Sequence, residues 1–327
     1  MLLPLINKIK QLSVKHQNNK FSYYLLNNLR RIFPMFIFQM QLKGKLSNGD
    51  KFDSEYIEKR VNYYNRLSIN TPLLPSAIKL SQLKLGKKLK VYYFDTFEFT
   101  RYFNQNLRAN FLFGDVIHVD TVPSLVKSRP IHVDNTNSIV LKMEKIRHFR
   151  FLNDTKQFVN KKNMLIFRGQ IFQPHRYRFM EMYYNHPMCN IGQINKNSNQ
   201  KFLVNRMTVD EHLDYKFILS LEGNDVASNL KWIMSSNSLA VMPTPKYETW
   251  FMEGTLIPNY HYVHIKDDYS DLEERLTYYC EHTDEALQII ENAHRYIEQF
   301  KNIEQEDYIS LQVLKKYFEK TGQTVNV

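Results

Sequence analysis

The sequence predicts an α/β fold built on parallel strands, and three observations carry that prediction. Residues 217–221 (Phe-Ile-Leu-Ser-Leu) form an apolar run of strand length, closed by a tight polar turn, Glu222-Gly223-Asn224-Asp225. A helix-length segment, 227–236, follows, and a second apolar run, 239–242, stops at Pro243 and Pro245. A third run, 262–265, precedes an acidic turn. Strand, turn, helix, strand is the order of a parallel α/β unit. In such units ligands gather at the carboxyl ends of the strands, beside helix N-termini. A turn rich in Gly, Asn, Asp and Ser at that point offers N–H and hydroxyl groups to an anion. On spacing alone it is equally a plain loop with a good N-cap.

The chain has 327 residues, enough for two ordinary domains or one large one. With 43% hydrophobic and 14% aromatic residues it can build a sizeable core. Two cysteines, Cys189 and Cys280, exclude a disulfide framework and lack metal-ligand spacing, which favours a reducing compartment. No apolar run approaches the 18 residues of a membrane span, and the N-terminus lacks a signal-peptide pattern. A soluble or membrane-peripheral cytoplasmic protein is expected. Charge is uneven: residues 1–90 hold 17 Lys and Arg against 4 Asp and Glu, whereas the whole chain is only +11.

Taken in order, residues 1–45 read as two short amphipathic helices, basic and aromatic. That composition suits an anionic membrane surface, a helical lid packed on its own domain, or a nucleic-acid surface. Residues 46–90 are expected to be helical around Tyr56, Ile57, Val61, Tyr64 and Leu67, with a basic connector at 80–90. Residues 90–95 read as a buried strand ending in Asp95, and 109–113 as another, closed by Gly114-Asp115. The following stretch holds Asp115, His118, Asp120, Lys127 and Arg129 within 15 positions, and its prolines argue against a helix. Residues 164–167 read as a strand running into Arg168-Gly169, with Arg176 eight positions after Arg168. A guanidinium fork matches phosphate oxygens, although a lone arginine often only pairs with a carboxylate. Residues 182–214 read as polar, with a surface loop at 195–200 and a short helix at 208–214. Residues 272–300 are helical with a break at His282-Thr283-Asp284, and 308–320 form a last amphipathic helix.

The central stretch also carries a resemblance. It has Glu222-Gly223-Asn224, Ser228-Asn229 and Lys231, then Asn237-Ser238-Leu239. Next come Pro245, Tyr247-Glu248, Trp250-Phe251 and Glu253, and then Leu256, Pro258, His261-Tyr262-Val263, Ile265-Lys266, Asp268 and Ser270-Asp271-Leu272. This ordered run resembles the core of glycosyltransferase family 90, which includes protein O-glucosyltransferases, fungal capsule xylosyltransferases and bacterial surface-glycan enzymes. The resemblance covers residues 90–300.

The resemblance implies two Rossmann-like domains facing a cleft, of the GT-B type, with a helical N-terminal extension. The expected division is 1–155 on the acceptor side and 156–305 for the nucleotide sugar. A C-terminal helix, 306–327, returns to the first domain. It implies an aspartate at the end of a first-domain strand as catalytic base. Asp95 best matches that position, with Asp115 and Asp120 near enough to stay open. Arg168, Gly169 and Arg176 match the family's arginine motif and would hold the departing diphosphate. They would be joined by Lys231 and by the turn Gly223, Asn224, Asp225, Ala227, Ser228 and Asn229. Family members commonly carry an arginine about where Asn229 stands, so Lys231 either substitutes or leaves the diphosphate to Arg168 and Arg176. Glu248 or Glu253 would accept the ribose hydroxyls. Asp115, Lys127 and Arg129 would lie on the acceptor or phosphate side.

The implied reaction is inverting transfer of a hexose from a UDP-sugar to a hydroxyl of a surface glycan, such as lipopolysaccharide core or capsule. It needs one base and no covalent intermediate. No Asp-x-Asp triplet occurs, so no metal ion and no cofactor are expected. The expected partners are the donor, a glycan or glycolipid acceptor and an anionic membrane surface, not nucleic acid. A catalytically idle membrane scaffold, a protein O-glycosyltransferase and a nucleotidyl- or phosphotransferase are the competing readings.

Overall fold

A computed structural model describes residues 20–196 and 200–326. The first of the two N-terminal helices expected from sequence, and the middle of the loop at 195–200, lie outside the described residues. The chain divides into two compact units. The first comprises residues 1–150, 247–251 and 300–327; the second comprises 151–246 and 252–299.

The second unit holds a five-stranded, wholly parallel sheet. Its strands are β6 (Lys162–Gly169), β7 (Cys189–Gln193), β8 (Tyr215–Leu219), β9 (Leu239–Met242) and β11 (Val263–His264). Their order is β11-β9-β8-β6-β7, with Phe217 opposite Leu165 and Leu239 opposite Phe217. Counted along this unit from β7, that is 2-1-3-4-5, an open doubly wound arrangement whose direction of winding reverses between β6 and β8. Leu165, Phe217, Leu219, Val241 and Val263 are buried between the flanking helices. Truncating a buried phenylalanine such as Phe217 to alanine costs roughly 3–5 kcal/mol. The strands expected at 164–167, 217–221, 239–242 and 262–265 are present. So are the short helix Val209–His212, opened by a Thr208–Glu211 capping box, and the paired helices Leu272–Glu281 and Thr283–Glu298 broken at His282. The helix expected at 227–236 is one turn, Leu230–Ile233. β7 lies in a stretch whose polar composition concealed it.

The first unit holds a four-stranded sheet, β1 (Ile78–Lys79), β2 (Arg108–Leu112), β3 (Ser124–Val126) and β5 (Ser138–Val140), in that order. β2, β3 and β5 are parallel, and β1 is an antiparallel edge. A separate ladder joins β4 (Arg129–Pro130) to β10 (Tyr247–Glu248). No helix lies between β2 and β3 or between β3 and β5, so this unit departs from the Rossmann pattern expected for it. Gly114, Pro123 and Pro130 in the connections oppose helix formation.

Residues 90–95 are corrected from strand to helix. The helix Lys90–Thr100 is buried on all sides from Tyr92 to Thr100. A continuous apolar run carries no periodicity to separate a buried strand from a buried helix. Asp95 therefore sits in a helix interior, not at a strand end. The helix Ser54–Tyr64, capped by Asp53, and the last helix, Ile303–Lys320, belong to the same unit. Tyr64 stacks on Trp250 at 3.8 Å. Beside them the buried Glu306 carboxylate accepts from Trp250 Nε1 at 2.6 Å, Arg60 at 2.7 Å and Lys142 at 2.9 Å. Burial alone would raise the pKa of Glu306, but Lys142 and Arg60 outweigh it and hold the carboxyl below its usual range.

Candidate functional site

In the second unit, the carboxyl ends of β6 and β8 bring the arginine motif to the reversal point of the sheet. Arg176 lies in the first turn of the helix Pro174–Tyr183. Its Nε donates to Glu222 O at 2.9 Å, its Nη2 to Leu221 O at 2.7 Å and its Nη1 to Gln170 O at 2.7 Å. Three of its five N–H groups are thus engaged, leaving one on each terminal nitrogen. Burial pushes the Arg176 pKa down to about 10, still cationic at neutral pH. A side chain at Gly223 would place its Cβ 3.4 Å from Arg176 Nη2, so glycine keeps the approach to that nitrogen open.

Arg168, at the end of β6, is more fully engaged. It donates to Asn205 O at 3.2 Å, to Phe167 O at 2.9 Å, and to Asn190 O and Oδ1, both at 2.7 Å. Gly169 follows where a Cβ would strike the Phe167 ring at 2.3 Å. Asn224 accepts from Gln173 at 2.9 Å, and His175 Nε2 lies 2.8 Å from Glu222 O. The reversal point thus gathers Arg168, Arg176, His175 and the turn 221–224. Open α/β sheets bind ligands at this place.

Other residues of the motif are placed differently. Asn229 donates to Leu219 O at 2.9 Å and accepts from Ser220 at 3.2 Å, so it ties its turn to β8. Ala227 and Asp225 are buried, and Ser228 is half-buried. Lys231 and Glu253, expected at the diphosphate and the ribose, form a fully buried ion pair with each other. Removing one partner would leave the other's buried charge without this pairing, which is costly. Glu248 belongs to the first unit, where it pairs with the buried Arg129 at 2.7 Å and accepts from Tyr63. That pairing also engages Arg129, which was expected on the acceptor or phosphate side.

In the first unit, three residues follow the carboxyl ends of three adjacent parallel strands: Asp115 after β2, Lys127 after β3 and Glu144 after β5. Gly114, with φ of 121°, turns the chain out of β2 in a conformation that side-chain-bearing residues rarely adopt. Lys127 Nζ lies 2.6 Å from Asp115 Oδ1 and 3.6 Å from Glu144 Oε2. The Tyr92 hydroxyl lies 3.4 Å from both carboxylates. Lys127 is buried, whereas the Asp115 side chain is 32% exposed. Burial would raise the Glu144 pKa, but His148, Arg147 and Lys127 outweigh it and hold the carboxyl at about 2. Glu144 adopts a left-handed φ of 56°. For a non-glycine residue that conformation costs on the order of 1 kcal/mol.

The other two candidate aspartates differ. The Asp95 side chain is 0% exposed. It accepts from Tyr23 Oη at 2.7 Å and Lys145 N at 3.0 Å. Burial pushes its pKa up to about 6, against Lys145 and Tyr23. Asp120 accepts from Asn110 at 3.0 Å and Ser124 at 3.1 Å and serves its own turn. Sequence reasoning missed Tyr92, Glu144 and His175. A strand assigned at 138–140 would have marked Glu144 by its position just beyond a strand end.

Parallel sheets whose carboxyl edges carry arginines in one unit and a lysine-held carboxylate in the other place the chain in the α/β class. The profile of glycosyl transferase family 90 matches residues 135–326, more than half of the chain. The chain is also 44% identical over 263 residues to the O-glucosyltransferase LpsA of Dichelobacter nodosus, covering 80% of this chain and 82% of that protein. The chain belongs to glycosyltransferase family 90 and is a glycosyltransferase. The profile match starts at Asn135, so it includes Glu144 and the arginine motif but not Asp95, Asp115 or Lys127.

Proposed function

We propose that the chain transfers glucose from UDP-glucose, with inversion and without a metal ion, to a hydroxyl of a surface glycan such as lipopolysaccharide core or capsule. The choice of sugar follows the name of the Dichelobacter relative. In this reading the two units join as a GT-B-type enzyme: the second binds the donor and the first supplies the base. The enzyme works at the surface of an anionic membrane.

The observation that carries the base assignment is the Asp115–Lys127 contact at a strand end, with Asp115 exposed and Asp95 closed off. Asp115 takes the proton of the acceptor hydroxyl as that oxygen attacks C1 of the sugar. The bond from C1 to the diphosphate oxygen breaks on the opposite side, and UDP leaves with the electron pair. General-base help of this kind contributes typically ~10²–10⁴-fold. Arg176, through its two remaining N–H groups, and Arg168, through its one, would stabilise the charge that grows on the diphosphate.

A donor screen by thermal shift tests the donor half. A ligand that binds only the folded state raises the melting temperature by mass action. A shift with UDP and UDP-glucose, unchanged by EDTA and absent with GDP-mannose, is the expected result. Stabilisation by GDP-mannose alone, or by no nucleotide at millimolar concentration, would refute it.

A further inference from the structure

The helix Lys20–Ile32 is amphipathic in an unusual sense, because it carries two apolar-containing faces. One is turned inward: Leu26, Asn27 and Arg30 are buried, Arg30 pairs with Glu98 at 2.8 Å, and Tyr23 bonds Asp95. The opposite face holds Phe21, Leu25 and Ile32, which are 74%, 44% and 76% exposed. At about 100° per residue these three fall within an arc of about 40°. The next helix, Met35–Gln39, continues the pattern with Phe36, 59% exposed, and Met40 one turn on, 76% exposed. Five large apolar side chains are therefore presented outward within 20 residues.

Charge decides what this face suits. Between residues 20 and 49 there are five basic residues and no acidic one. Lys20 and Arg31 are exposed and lie on one flank of the apolar stripe, and Lys43 is exposed beyond it. Apolar side chains at the centre with basic side chains alongside are the arrangement of a helix lying in the headgroup region of an anionic bilayer. The long basic side chains reach the phosphates while the rings and aliphatic chains enter the acyl boundary. Among the described residues no helix is long and apolar enough to cross a membrane, so contact through this face is lateral.

We propose that Phe21, Leu25, Ile32, Phe36 and Met40, with Lys20, Arg31 and Lys43, form the surface by which the protein docks on anionic lipid. The proposal deepens the peripheral placement above and does not depend on the donor or the base. A failure here therefore leaves the thermal-shift result untouched, and the reverse also holds.

The test is co-sedimentation of the full chain with vesicles of phosphatidylglycerol and phosphatidylethanolamine, against vesicles of phosphatidylcholine alone. Wild type is expected to partition at least tenfold better to the anionic vesicles, and to lose that preference in high salt. The triple variant Phe21→Ser, Leu25→Ser, Ile32→Ser should lose partitioning at least tenfold at an unchanged melting temperature. Lys20→Glu with Arg31→Glu removes the charge attraction while keeping the stripe, and should weaken anionic binding by at least the roughly fivefold per basic residue expected at such a surface. Equal binding to both vesicle types, or serine and glutamate variants that bind like wild type, would overturn the proposal. So would a wild-type dimer that the serine variant dissociates without any vesicle binding, which would make a second copy the occupant. A serine variant that melts lower while wild type ignores vesicles would likewise overturn it, because the stripe would then serve the chain's own packing.

Discussion

Lys127 Nζ lies 2.6 Å from Asp115 Oδ1, and the lysine is buried while the aspartate is one-third exposed. A buried cation behind an exposed carboxylate fixes its orientation and favours its ionised form. Asp115 is therefore the one candidate aspartate that is exposed, held by a buried cation and located at a parallel strand end. Asp115→Asn should lower kcat by roughly 10²–10⁴-fold while the Kd for UDP stays within twofold, as measured by steady-state kinetics and titration calorimetry.

Lys127 acts through Asp115, so its removal should leave a signature in pH. Lys127→Met is expected to move the acid limb of kcat/KM to higher pH, because the carboxylate loses its stabilising cation. Lys127→Arg should restore most of the profile. A lysine that only supports packing would lower activity uniformly and leave the limb in place.

Asp95 gives the opposite kind of pH effect. Its folded pKa, about 6, stands above the unfolded value of 3.8. Its contribution to stability is therefore complete below pH 4 and is lost as pH rises through 6, an effect on the order of 3 kcal/mol. Asp95→Asn should gain stability relative to wild type across that window in urea titrations, with turnover largely kept. A difference between the two proteins that does not vary with pH would contradict this.

Arg176 separates binding from structure. Arg176→Lys keeps one cation but loses the fork, and should raise the KM for the donor about 10–100-fold with a smaller change in kcat. Circular dichroism melting would reveal how far the loss of bonds to Leu221 and Glu222 loosens the turn.

Lys231 and Glu253 pair with each other in the core, and a pair of variants tests whether Lys231 also holds the diphosphate. Lys231→Met alone should cost roughly 3–5 kcal/mol, because it leaves a buried carboxylate without its cation. Lys231→Met with Glu253→Leu should recover much of that loss in chemical denaturation. If Lys231 instead bound diphosphate, the double variant would fold well and fail to bind UDP.

The parts of the fold legible from sequence were those with period or punctuation. β8 and β9 are apolar runs closed by a Gly-Asn-Asp turn and by prolines. The break at His282 interrupts a clear helical repeat. The helix Lys90–Thr100 was not legible as such, because apolar residues surround it and period vanishes when every face is buried. β3 and β5 are three residues each and lie between prolines and polar turns, too short to show alternation. In the candidate site, the family resemblance pointed first to Asp95, with Asp115 and Asp120 left open, and to Arg168 and Arg176 for the diphosphate. Type could not say which charges meet each other: Arg129 with Glu248 and Lys231 with Glu253 are contacts across 119 and 22 positions that only the folded chain reveals.

The most direct test incubates the protein with UDP-glucose and a deacylated lipopolysaccharide core in EDTA. UDP release is followed together with the anomeric configuration of the product by NMR. The account predicts a β-linked product from the α-linked donor, and turnover that falls at least 100-fold in Asp115→Asn but not in Asp95→Asn. A retained α linkage, or full turnover in Asp115→Asn with loss in Asp95→Asn, would contradict it.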